Sequence, residues 1–338
     1  MAAQIIFHIG LEKTGTDSFQ RFCTENRRAL RSLGILYPVG LAFAEHSHGP
    51  LAACYLPYRD LSVGPGRARA DVLHSLRAEI ERARPETVLI SAEHLSSRFR
   101  SPEIEQLARD FNGFDCRIAV VVREHASRIR SAYAQTILAG RTPSFEDYCR
   151  EILDPANPYV RYRDTIAPWD RVFGRETMRV FSLTAGTDVV GMLRAALIPR
   201  AAAIREQKHY RDNQSQGASA VEALRLVTLQ LPDADPRLDR PLGRLKWLLL
   251  RLARRRIRAL LATAAGGREQ GRFQLSTPIR ARLQEIVDID RQWLESSYGI
   301  RLGTPDTEDE PPVDETLAKR LAAQVTARPW VKVLMAMR

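Results

Sequence analysis

Apolar residues recur along the first two hundred positions in two alternating rhythms, and the rhythm changes near residue 217. Residues 4 to 10 form an apolar run that predicts a buried strand. Residues 15 to 33 place Phe19, Phe22, Cys23, Leu30 and Leu33 on one side of a 3.6-residue repeat, which predicts an amphipathic helix. A short extended piece follows at 35 to 38. The β-branched runs at 87 to 91, 116 to 123 and 178 to 183 predict further strands. Helical spacing fills 67 to 84, 102 to 110, 125 to 139, 158 to 173 and 187 to 197. Residues 40 to 66, rich in Gly, Pro, His and Tyr, have no period and predict a long loop of the kind that carries function. Strand and helix alternation implies an α/β fold: a three-layer parallel sheet flanked by helices, with ligands at the carboxyl ends of the strands. From 217 onward the chain reads as helical without repeats, a helical C-terminal extension. The division expected is one domain over 1–302, with its core sheet at about 4–200 and helical additions at about 215–302, then an acidic, proline-containing linker and terminal helix over 303–338.

With 338 residues, 44% hydrophobic and 27% charged, the chain reads as an ordinary globular protein. No run of about 18 uncharged apolar residues predicts a membrane span, and the start shows no basic region or cleavage site of a signal peptide. Cys23, Cys54, Cys116 and Cys149 have neither paired nor metal-like spacing, so a reduced, cytoplasmic protein is expected. No His-x-x-x-His, cysteine pair or calcium-type aspartate cluster occurs, and no metal site is expected.

The first strand runs into His8-Ile9-Gly10-Leu11-Glu12-Lys13-Thr14-Gly15-Thr16-Asp17-Ser18 and then a helix. Backbone N–H groups at a helix start, the positive end of its dipole and the Lys13 charge together suit a phosphate or sulfate, and Gly15 lets the backbone approach it. A Walker A loop would end Gly-Lys-Ser/Thr. Here the lysine precedes the second glycine. A second segment stands at Arg123, after the strand at 116 to 123, with Arg128, Ser131 and Tyr133 on the following helix. A guanidinium offers a fork of donors to phosphate oxygens, and a helix hydroxyl can add another.

Lys-Thr-Gly-Thr followed by Arg-x-x-x-x-Arg-x-x-Ser-x-Tyr resembles the sulfotransferase family that uses 3′-phosphoadenosine 5′-phosphosulfate (PAPS), particularly a bacterial branch with a P-loop-like fold. Looser similarity continues through Tyr162-Arg163-Asp164, Trp169 and Phe173-Gly174-Arg175-Glu176, and through Trp293-Leu294 to Tyr298-Gly299-Ile300. The resemblance implies transfer of a sulfuryl group by in-line displacement to a hydroxyl of a carbohydrate, lipid-linked glycan or small metabolite, leaving 3′-phosphoadenosine 5′-phosphate (PAP), without a metal. It implies Lys13 at the sulfuryl group and bridging oxygen, Thr14, Gly15, Thr16 and Ser18 at the 5′-phosphate, and Arg123 and Ser131 at the 3′-phosphate. Asp17 replaces the family's common second threonine; it either caps the helix or lowers donor affinity.

For the general base, Glu93 follows the strand ending at Ser91, while His46 and His48 lie in the irregular loop with a ring pKa suited to the role. His94 and His125 are weaker candidates, the latter at a position often proline in the family, and His8 reads as a core histidine. Two other readings compete: a nucleotide-dependent kinase with an atypical P-loop, and a non-catalytic adaptor for polyanions or a membrane surface.

Charge gives the adaptor its basis. Residues 241 to 272 hold nine Lys or Arg and one acid, and the whole chain carries +11. A helical wheel puts Arg244, Arg251, Arg254, Arg255 and Arg258 on one face and Leu245, Leu248, Leu249, Leu252 and Leu260 on the other. Such a helix, over about 241–265, can pack its leucines on a core, lie on an anionic membrane at the inner surface, or grip an acidic acceptor. Nucleic acid is not expected, since no aromatic interleaving accompanies the charge. Residues 306 to 315 read as an exposed acidic linker that could fold back on this helix.

Overall fold

Five strands, β1 (Gln4–His8), β2 (Ile35–Leu36), β3 (Thr87–Ser91), β4 (Asp115–Arg123) and β5 (Met178–Leu183), form one parallel sheet in the order β2-β3-β1-β4-β5. The structure is a computed structural model. It describes residues 3–42, 46–58, 63, 66–184, 186–204, 217–232, 241–265, 271–303 and 311–336, with side chains of 241–248 and 251 left aside. Parallel strands need crossover connections, and these bury both faces of the sheet. Ile6, Leu89, Ala119 and Val121 face Phe19, Phe22, Leu30 and Leu193 on one side. Phe7, Ile90, Val120 and Val122 face Leu76, Leu107, Ile166 and Trp169 on the other. The helices after β1 therefore cover one face and helix Tyr162–Phe173, after β4, the opposite face. Connections diverge between β1 and β4, the point at which open α/β sheets place their ligands, beyond the carboxyl ends of the strands.

The register aligns those ends. His8 lies beside Ser91 on β3 and Ala119 on β4, so the loop after His8, the turn after Ser91 and the last residues of β4 share one rim.

The expected α/β architecture with helical additions is present, with local differences. The helix expected over 15 to 33 is two, Thr16–Glu25 and Arg27–Ser32, broken at Asn26, whose side chain turns back to the Phe22 carbonyl at 2.9 Å. The stretch 40 to 66 contains helix Gly49–Ala53; its residues 43–45, 59–62 and 64–65 lie outside the described ones. Helices His94–Arg98 and Phe145–Ile152 were not foreseen.

The chain forms two compact units. The first comprises Met1–Arg128, Pro155–Asn213 and Gln284–Pro305; the second comprises Ile129–Asp154, Gln214–Leu283 and Asp306–Arg338. The first holds the sheet. In the second, Tyr133 meets Phe145 and Phe273 edge-on at 5.0 and 4.8 Å, and helix Pro241–Ala265 buries the row Leu250, Ala253, Ile257, Leu261 and Ala265. The wheel expectation for this helix is therefore corrected. Leu249 and Leu252 are 41% and 55% exposed, beside exposed Arg255, Arg256 and Arg258. The buried row contains small Ala253 and Ala265, which permit close helix approach, and leucines occur on several sides of the helix, so their count alone does not set the phase. The acidic stretch at 304–310 lies outside the described residues.

Candidate active site

The loop after β1 is held in a shape that few residues tolerate. Gly10, Lys13 and Gly15 have φ of +33°, +69° and +82°. A side chain at Gly10 would meet Thr16 Oγ1 at 2.7 Å, and one at Gly15 would meet Val189 Cγ2 at 2.9 Å. Lys13 holds the left-handed conformation without glycine's freedom, a local strain of the kind that surrounding structure must impose. Inside the loop, Thr14 Oγ1 donates to the Leu11 carbonyl at 2.6 Å and lies 3.5 Å from Thr16 Oγ1; both threonines are buried. The Thr14 hydroxyl thus braces the loop. Helix Thr16–Glu25 starts from Gly15, with no side-chain cap. Its first-turn N–H groups have no intrahelical acceptor and aim outward with the positive end of the dipole.

Asp17 does not cap this helix. It sits in the first turn, exposed, and Ser18 beside it is half-buried.

Two arginines hold the loop from the far side of the strand divergence. Arg123, the last residue of β4, donates from Nη1 to the Lys13 carbonyl at 3.3 Å. Arg128, fully buried on helix His125–Leu138, donates from Nε to the preceding carbonyl, Glu12, at 3.0 Å, and from Nη1 to the Tyr159 carbonyl. Its guanidinium lies over the Tyr159 ring at 4.0 Å. Arg128 stands in the quoted motif, but its bond to the loop backbone carries no signal in sequence. The start of helix His125–Leu138 is occupied by Glu124, whose carboxylate accepts from the N–H groups of Ala126 and Ser127 at 2.8 and 2.6 Å. An anion near Arg123 would accordingly be met by guanidinium rather than by that helix end. Ser131 lies two turns along the same helix, among the residues of the second unit.

Glu93 reaches the loop from the third element of the rim. It opens helix His94–Arg98, whose Ser96 hydroxyl lies within hydrogen-bond reach of both the Gly10 and Glu93 carbonyls. Burial, then the charges of Asp17 and Glu12, push its carboxyl up to about 8; Lys13 and Arg98 oppose this. Arg98 is also 3.8 Å from Glu12 Oε1. Asp17 and Lys13 therefore both act electrostatically on Glu93, with opposite sign.

The histidines are placed differently. His48 is fully buried, accepts the Ser91 N–H on Nδ1 at 3.1 Å and donates from Nε2 to the Pro38 carbonyl at 2.9 Å. Both nitrogens are engaged by backbone, and burial depresses the ring to about 3. It fastens the end of β2 to β3. His46 is half-buried, and its carbonyl takes the Tyr37 hydroxyl at 2.7 Å. His8 is buried against Ser91 Oγ at 2.8 Å and is lowered to about 4 by burial. His125 meets the buried Asp290 carboxylate at 2.8 Å, which also accepts the N–H groups of Tyr162 and Arg163 and so starts the helix covering the sheet.

No family model and no curated protein matches this chain. Among solved structures it is similar to a sulfotransferase from Alicyclobacillus acidocaldarius. The two share 18% identity over 77% of this chain and 96% of that one, with a TM-score of 0.39.

The loop at Lys13, the start of helix Thr16–Glu25 and Glu93 share one rim of the sheet. Among the described residues no group of three or more His, Cys, Asp or Glu could hold a metal ion, no helix is long and apolar enough to cross a membrane, and none of the four cysteines is paired.

Proposed function

We propose that this chain is a PAPS-dependent sulfotransferase acting on a hydroxyl-bearing acceptor. The observation that carries the reading is the meeting of Lys13 and Glu93 at one rim of the sheet, a cation on an anion-binding loop beside a carboxyl held near 8. The donor supplies the activated sulfuryl group and a phosphate leaving group. Lys13 and the first-turn amides of helix Thr16–Glu25 would hold its 5′ end, and Arg123 its 3′-phosphate. Thr16 and Ser18 hydroxyls would add to the 5′ contact.

Catalysis of this kind is largely positioning and stabilisation of spread negative charge. Lys13 lowers the barrier by neutralising charge as it gathers on the departing oxygen. Glu93, once deprotonated, takes the proton of the acceptor hydroxyl; in this environment it does so most readily above neutral pH. Asp17 keeps Glu93 more basic than a lone buried carboxylate and, being exposed, adds little repulsion toward a ligand in a solvated cleft.

Calorimetric titration with PAP in the absence of magnesium tests the donor, with labelled PAPS and an acceptor panel testing transfer. Binding without magnesium, lost in Lys13→Ala, supports the reading. Binding of magnesium-ATP alone would replace it with the kinase reading, and sedimentation with vesicles unaffected by Lys13→Ala, without nucleotide binding, would favour the adaptor.

A further inference from the structure

Arg27 opens helix Arg27–Ser32, and its guanidinium stands 5.3 Å above the ring centroid of Tyr37, a side chain only 2% exposed. Its Nε and Nη2 are both shielded from solvent and have no hydrogen-bond partner among the described residues. These two nitrogens form the side-on fork of a guanidinium, the edge that grips a carboxylate, phosphate or sulfate with two parallel bonds. Thr24 Oγ1, three residues earlier on the last turn of helix Thr16–Glu25, is likewise buried without a partner. So is Ser47 Oγ, next to the His46 carbonyl that receives the Tyr37 hydroxyl.

Arg27 is half-buried, and guanidinium nitrogens shut away from solvent are ordinarily paired. Among the described residues, the titratable groups whose charge state Arg27 is seen to influence are Cys23, Tyr37 and His48, all neutral at pH 7. Burial raises the Cys23 thiol and the Tyr37 phenol far above their usual range and depresses His48 to about 3. Among the described residues neither of the two guanidinium nitrogens meets a counter-charge. Tyr37 stacks on His48 at 4.2 Å, and His48 takes the Ser91 N–H, so the cluster lies one aromatic layer from the strand end that leads into Glu93.

We infer that Arg27, with the hydroxyls of Thr24 and Ser47, forms a second oxyanion-binding site, distinct from the loop at Lys13 and suited to a carboxylate or sulfate group. Such a group has two sources, an acidic substituent of the acceptor or a free inorganic anion. The site stands on its own geometry and does not depend on the sulfotransferase reading.

Thermal unfolding in matched sodium chloride and sodium sulfate, at equal ionic strength, tests it on wild type, Arg27→Gln, Lys13→Ala and the double variant. Sulfate should raise the wild-type midpoint; each single variant should lose part of that rise, and the double variant should lose all of it. In chloride, Arg27→Gln should be no less stable than wild type, because an unpaired cation is removed. A sulfate response of Arg27→Gln equal to that of wild type overturns the inference. Retention of the response in Lys13→Ala, with loss in Arg27→Gln, would instead count against the loop as an anion site. Should Arg27→Gln fail to fold, Arg27→Lys, which keeps charge but loses the fork, carries the test: it should lose most of the Arg27-dependent part, and full retention sinks the idea. Glucuronate set against glucose separates the sources. Protection by glucuronate that needs Arg27 indicates an acidic sugar substituent, and a response to sulfate alone indicates a free anion.

Discussion

Arg123 and Lys13 are joined by a side-chain to backbone hydrogen bond of 3.3 Å, although 110 residues separate them. Arg128 makes the matching bond to Glu12, so two consecutive carbonyls of the loop are held from β4 and its following helix. The two arginines differ in exposure, and that difference divides their roles. Arg128 is fully buried, whereas Arg123 is half-buried and can turn a donor toward a ligand.

Arg128→Ala should therefore act first on stability, by about 3 kcal/mol, because the carbonyls of Glu12 and Tyr159 lose their donors in a buried setting. Arg128→Lys should recover less than half, since an ammonium cannot span both carbonyls while stacking on Tyr159. Arg123→Ala should change stability by less than about 1 kcal/mol yet weaken PAP binding by about tenfold or more. Urea unfolding and calorimetry separate the two effects; unchanged nucleotide affinity in Arg123→Ala would remove it from the proposed 3′-phosphate site.

Gly15→Ala combines a left-handed backbone with a steric conflict against Val189. A cost of about 2 kcal/mol is expected from the two together. Adding Val189→Ala should relieve the contact but not the backbone strain. A double variant as stable as Val189→Ala alone would show that φ at this position is unimportant.

Glu93 should govern the alkaline limb of activity. With its carboxyl near 8, transfer should rise as pH increases through about 8, and Glu93→Gln should abolish the rise and most of the rate. Stability moves the opposite way. The folded state holds this proton well above the usual carboxylate range, so it binds more protons than the unfolded chain between about 4.5 and 8 and loses stability as pH rises across that window. Glu93→Gln should be more stable than wild type at pH 9 by on the order of 3 kcal/mol, with the gain fading by pH 5. Equal melting curves at pH 9 would contradict the assignment of its environment.

His8 and His48 have the reverse sign. Their folded rings titrate near 4 and 3, below the unfolded value, so the unfolded chain binds more protons between there and 6.5. Their contribution to stability should fall as pH drops below 6.5, by about 2 kcal/mol per histidine at pH 5. His48→Gln should remove about half of this acid slope, whatever it does to stability at pH 8. The wild-type minus His48→Gln difference in denaturant midpoints, compared at pH 5 and 8, isolates the histidine contribution from the opposing one of Glu93.

Glu93 was legible because a carboxylate just past a buried strand must emerge at the rim, and β-branched runs mark that strand well. His48 was not, because its partners are backbone groups at Pro38 and Ser91, ten and 43 residues away, and backbone groups have no sequence signature. The break at Asn26 depends on a side chain returning to Phe22, which an apolar repeat passes over. Arg27 carries no mark in the sequence for the same reason: the repeat shows which side of a helix is apolar, not which cation is shut away above an aromatic ring. The strand–loop–helix at Lys13 was readable because glycine, lysine and hydroxyls there satisfy a conformational and an electrostatic demand at once.

The brevity of β2 has a consequence for how the protein behaves in concentrated solution. This border strand has only two residues, and the chain leaves it at once for Tyr37, fastened by His48 beneath. Its backbone offers too little ladder for another chain to extend, so the sheet is guarded against edge-to-edge association on that side by shortness rather than by charge. Substitutions that loosen His48 would lengthen the exposed border and should promote self-association before they impair folding.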